Sequence, residues 1–196
     1  MSRRLLVFVT VVFSASFGVS SVGYAFTLLT EEQALEEVFG KGSEITVETK
    51  VLEGQRLSTV MEKLGGKLVW YQEGSESEAV AAKKKIDFYF ASKEGKRFGV
   101  GIIEVEPGKW GPITFITAMT LEGAVKKVRV MAYIEKRGRP IARRSFMNQY
   151  TGKTSKSVLT VGEDITGISG ATISSRAATF TVKKAILLYE EFYLKK

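Results

Sequence analysis

The chain has 196 residues and a formal charge of +8, and 44% of its residues are hydrophobic, enough for the core of one compact domain. It contains no cysteine and no histidine. Disulfides, thiolate or imidazole metal sites, haem held through Cys or His, Ser-His-Asp catalysis and flavin bonded to Cys or His are therefore excluded.

At the N-terminus Arg3-Arg4 precede the apolar run from Leu5 to Phe13, and small residues continue to Gly23-Tyr24-Ala25. This is the layout of a signal peptide cut after Ala25. The stretch from Leu5 to Thr30 carries no charge, so it is also long enough to cross a bilayer core of about 30 Å as an uncleaved anchor. Both readings export the body. With no Pro-rich or Ser-rich linker, the expected organisation is a signal peptide or membrane anchor over 1–25, an N-terminal α/β part over 26–94 and a core over 95–196.

Thr30-Glu-Glu-Gln33 is a capping box, and the helix it opens stops at Gly40. Residues 44–52 alternate as a strand does. A short helix from Ser58 to Leu64 ends at Gly65-Gly66, and Leu68 to Tyr71 reads as a further strand. The polar stretch Glu76 to Lys85 fits a short helix or a loop. Strands then follow at Ile86–Phe90, Phe98–Val105, Ile113–Met119 and Val125–Ile134, joined by short turns that contain glycine. Such turns favour an antiparallel meander. Arg143 to Tyr150 reads as a short helix, 151–173 as a loop, and 175–194 as a terminal helix. In that helix Ala178, Val182, Ala185, Leu188 and Phe192 recur on one face. The fold class expected is α+β, a single domain with a twisted antiparallel sheet and helices packed on one side.

The loop carries Asp164-Ile-Thr-Gly-Ile-Ser169-Gly170-Ala171-Thr172-Ile173-Ser174-Ser175-Arg176. It sets a hydroxyl, Thr172, behind a flexible turn and before a helix that Ser174 or Ser175 could cap. A helix start offers N–H donors and a positive dipole end, and Gly170 lets a ligand approach the backbone. This suits a phosphate-bearing group, although small hydroxyl residues also make ordinary turns into helices.

The run Ser169-Gly-Ala-Thr172-Ile-Ser-Ser175 resembles the flavinylation motif of the covalent FMN-binding domain family, which includes the G subunit of the Rnf complex and the C subunit of the sodium-pumping NADH:quinone oxidoreductase. Trp110-Gly-Pro-Ile113, Gly123-Ala-Val-Lys-Lys-Val128 and Phe146-Met-Asn-Gln149-Tyr-Thr-Gly-Lys153 are similar to further segments of it, so the resemblance spans roughly 95–190. Where the family has His-x-Glu-Thr-x-Gly, this chain has Tyr133-Ile-Glu135-Lys-Arg-Gly138. The family often has Asp three positions before the motif; here that position is Thr166, with Asp164 two residues earlier.

The resemblance implies FMN bonded through its phosphate to Thr172 by a flavin transferase that uses FAD. Ser169, Gly170 and Ala171 would shape the phosphate turn, with donors from the N-terminus of the last helix, and Ile173 and Ser174 are further candidate binding residues. Glu135, Gln149 and an aromatic such as Trp110 or Tyr133 are expected near the ring, although core packing also explains the aromatics. The function implied is an exported electron carrier between a membrane oxidoreductase and another redox partner such as a cytochrome. A component of an Rnf-like membrane complex, associated through its N-terminus, and a non-redox exported binding module are the other readings.

The basic clusters Lys83-Lys84-Lys85 and Lys136, Arg137, Arg139, Arg143, Arg144 fit a solvated surface, or steering towards an acidic partner or an anionic membrane. They lack the interleaved aromatics of a nucleic-acid surface, and no nucleic-acid partner is expected.

Overall fold

The computed structural model describes residues 26–70, 84–109, 111–133 and 141–195. The leader, most of the polar stretch before Lys84, Trp110 and Glu135 lie outside them. The described residues form one six-stranded antiparallel sheet with helices, an α+β fold as expected. In chain order the elements are β1 (Phe26–Thr27), α1 (Glu31–Phe39), β2 (Glu44–Leu52), α2 (Gly54–Lys63), β3 (Lys84–Lys93), β4 (Lys96–Pro107), β5 (Pro112–Met119) and β6 (Val125–Tyr133). Helix α3 (Arg144–Met147) runs into a 3₁₀ turn over Asn148–Tyr150, and α4 (Thr172–Tyr189) runs into a π turn over Glu190–Leu194.

The sheet order is β1-β6-β5-β4-β3-β2. Strands β3 to β6 are the expected meander, each paired with the next. The β3–β4 hairpin turns on Glu94 and Gly95, both in the left-handed region at φ 52° and 73°, as the tight two-residue turn requires. Only β1, a two-residue strand added beside β6, escaped the sequence pattern.

The capping box is present: Thr30 Oγ1 accepts from the Gln33 amide, and Gln33 Oε1 accepts from the Thr30 amide. Of the strand expected at 68–71, Tyr71 lies outside the described residues, and Leu68 to Trp70 form no strand, because Leu68 and Trp70 bond to side chains rather than to a neighbouring strand.

Alternation places the two faces of the meander in two cores. Phe88, Phe90, Val100, Ile102, Phe115, Val128 and Val130 face α4 and α2, and burying each such side chain stabilises the fold by about 1.5–3 kcal/mol. Most helices therefore pack on one side, but α1 departs from that expectation. Its Ala34 and Val38 cover Ile116, Ala118 and Met131 on the opposite face. The ring of Phe39 lies over Gly99 and Gly101, where a Cβ would come within 3.1 Å of it. Those two glycines are the gap that admits the helix.

Helix α4 is the centre of the larger core. The stripe Ala178, Val182, Ala185 and Leu188 is buried as the periodicity implied, and so are residues on its other sides. Sheet strands β4 and β5 meet it from one side, and α2 from another. A helix enclosed in this way shows a weaker amphipathic pattern than a surface helix does.

Candidate functional site

Thr172 is the first residue of α4, and it is exposed. The turn before it closes with the Ala171 amide donating to the Ile168 carbonyl at 2.9 Å. Gly170 sits in this turn at φ 77°, a conformation that costs a residue with a Cβ about 1–2 kcal/mol. Ser169 and Gly170 are both exposed.

The helix cap differs from the sequence reading. The N-cap residue is Ala171, whose side chain has no acceptor, and Ser174 and Ser175 lie inside the helix, buried. Ser175 Oγ donates to the Ala171 carbonyl at 2.9 Å and accepts from the Ile168 amide at 3.1 Å, so it fastens the turn to the helix. A Ser hydroxyl can serve either as cap or as an internal bond to the preceding turn; Ser175 takes the second role.

Two polar side chains fix the rest of the loop. Gln149 grips Thr166 from both sides of the backbone, donating to its carbonyl at 3.1 Å and accepting from its amide at 2.8 Å. Asp164 accepts from Lys153 Nζ at 2.8 Å and from the amides of Leu159 at 3.1 Å and Thr160 at 2.9 Å. Partial burial raises the Asp164 carboxyl, but Lys153 and the two amides outweigh it and hold the group below its ordinary value. Gly167 is tightly placed, since a Cβ there would meet Val161 Cγ1 at 2.8 Å.

Beyond Thr172, the same face of α4 carries Arg176, Thr179, Phe180 and Lys183 at steps of three and four. These four line a cavity of about 340 Å³ with Trp70, Leu64 and the loop residues Leu159 to Val161. That volume lies at the small end of ligand pockets, which run from about 300 to 1,000 Å³. Trp70 and Phe180 form its aromatic wall, ring centroids 5.8 Å apart. Arg176, one helical turn from Thr172, is exposed.

Of the residues predicted at the site, Ser169, Gly170, Ala171, Thr172, Ile173 and Ser174 are together at the head of α4. Gln149 reaches the same loop through Thr166. Tyr133 is buried on β6, with Phe26 tilted against it at 5.6 Å. Trp110 and Glu135 fall outside the described residues. Trp70, Phe180 and Arg176 were not assigned to the site from the sequence. Arg176 and Lys183 could have been found from their helical spacing to Thr172, whereas nothing local ties Trp70 to α4.

Residues 108–187 match the family described as the FMN-binding domain. Over 126 residues the chain is 29% identical to the G subunit of the ion-translocating oxidoreductase complex of Aliivibrio fischeri (strain MJ11), an alignment that takes in 58% of this chain and 60% of that protein. The matched family segment begins at the β4–β5 turn and ends within α4, so it contains the loop and Thr172.

Proposed function

We propose, from the match of residues 108–187 to the FMN-binding domain family, that the protein is an exported electron carrier holding FMN through a phosphoester to Thr172. The observation that carries this reading is the exposed Thr172 hydroxyl at the head of α4, on the same helical face as Arg176 and the aromatic-walled cavity. A tethered phosphate would lie beside the helix start and within reach of Arg176, both favourable to its charge. The cavity suits one planar ring better than a whole dinucleotide. When bound, FMN supplies the electron-accepting and electron-donating ring; the chain supplies position and electrostatics.

Attachment forms a bond from Thr172 Oγ to the FMN phosphorus of FAD and breaks the pyrophosphate bond, with AMP leaving and the hydroxyl proton lost to solvent. A flavin transferase is the partner for this step. Electrons would come from a membrane oxidoreductase and pass to another redox partner such as a cytochrome. The likeness to a component of an ion-translocating complex favours a second reading, a subunit held at the membrane by residues 1–25. Periplasmic placement, or placement on the outer face of the cytoplasmic membrane, rests on the leader pattern.

The test is mass spectrometry of protein co-expressed with a flavin transferase. The expected adduct is one FMN less one water, absent from Thr172→Ala. Thr172 is exposed, so that variant should keep its stability within about 0.5 kcal/mol. No adduct on the parent, or adduct retained in the variant, overturns the proposal. The same spectrum from native protein shows whether the chain begins after Ala25 or keeps its anchor.

A further inference from the structure

The aromatic wall of the cavity is backed by buried charge. Glu104 and Glu106 share the face of β4 that looks towards α4, and Lys184 lies between them. Lys184 Nζ is 2.6 Å from Glu104 Oε2 and also contacts Glu106 Oε1. All three are buried: Lys184 is 1% exposed, Glu104 6% and Glu106 0%.

Burying a lysine and two glutamates is costly, and apolar side chains of similar volume would join sheet to helix at less cost. What apolar side chains cannot do is bind backbone. Lys184 Nζ donates to the Leu68 carbonyl at 3.2 Å, and the Trp70 amide donates to Glu106 Oε2 at 2.8 Å. Glu106 thus spends one oxygen on the lysine and the other on Trp70. Residues 68–70 belong to no helix or strand, so these bonds replace the ladder that would otherwise fix them. The ring of Phe180, which completes the wall, has its centroid 5.8 Å from Lys184 Nζ.

We propose that Glu106 and Lys184 are positioning residues that fix Trp70 as the wall of the α4 cavity, and through Trp70 set the environment of the flavin ring. The second half rests on the reading of the cavity as the ring site.

The experiment uses Trp110→Phe as background, which leaves Trp70 as the sole tryptophan of the two in the chain. In the flavin-free form, carrying Thr172→Ala, the emission maximum of Trp70 and its quenching by acrylamide are read for Glu106→Gln and Glu106→Leu. The glutamine keeps one oxygen that can still accept from the Trp70 amide, so both signals should move far less than in the leucine variant. The leucine removes it and should shift emission to the red and increase quenching. A triple variant, Glu104→Leu with Glu106→Leu and Lys184→Met, removes every charge of the cluster. It should melt as high as the background, or higher, and still show the displaced Trp70. Trp70 unmoved in the leucine and triple variants, or moved equally by Gln and Leu, overturns the positioning role.

In flavinylated protein the Leu variant should change the flavin absorption and emission, and the Gln variant should change them far less. Trp70 displaced with the flavin spectrum unchanged overturns the link to the ring. Absence of covalent flavin on the parent defeats the cofactor reading instead, and the flavin-free tryptophan signals still decide whether Trp70 is positioned.

Discussion

Gln149 holds Thr166 by both its amide and its carbonyl, a two-point grip across 17 residues that sets the course of the loop towards Thr172. Gln149→Ala should cost about 1 kcal/mol of stability, since the two bonds are exposed and each contributes little net. Its larger effect should be local. Hydrogen exchange at the Thr166 amide should speed up, and covalent flavin yield should fall while the melting curve stays cooperative.

Asp164 gives the loop a dependence on pH. Its carboxyl is held below the ordinary value in the folded protein by Lys153 and the amides of Thr160 and Leu159, against the opposing effect of partial burial. A lowered folded pKa means stabilisation that is complete above the unfolded value of about 3.9 and lost as pH falls through the folded one. Melting temperatures should therefore fall in acid by less for Asp164→Asn than for the parent. Equal acid sensitivity of the two proteins would remove Asp164 from the account.

Lys184→Met removes the ammonium that two buried carboxylates share and should destabilise the protein by about 3–5 kcal/mol, read as a lower urea midpoint with an unchanged slope. Lys184 remains charged at neutral pH: burial disfavours its charge, but Glu104 and Glu106 more than compensate and raise its pKa. Burial pushes the Glu106 carboxyl up, so this group can take up a proton and limit the loss. The cost should accordingly shrink between neutral and mildly acidic pH.

Gly170→Ala tests backbone conformation in isolation. Among the described residues no atom lies within 4 Å of the Cβ position, so crowding contributes nothing and the left-handed φ sets the cost at about 1–2 kcal/mol. Asn, which tolerates that region better, should cost less by the same thermal melt.

The meander was legible because period-two alternation and glycine turns are local signals. The capping box at Thr30 and the stripe of α4 were equally readable. The site was half legible. Ser169 to Thr172 stood out as a motif, but its support did not, because Ser175 could bond forwards as a cap or backwards to the turn. The side taken by α1 depends on Gly99 and Gly101 lying about 60 residues away from Phe39, beyond any local pattern. Nothing local marks Glu104 and Glu106 as buried. Only the approach of Lys184, 78 residues from Glu106, shows that they are buried.

Every strand among the described residues precedes α4 in the chain, and the grip of Gln149 on Thr166 ties the middle of the loop to the residues before it. The setting of the Thr172 hydroxyl is thus a product of long-range folding: a short peptide spanning residues 164–176 would carry the hydroxyl without the Gln149 clamp or the docked helix that hold it in place.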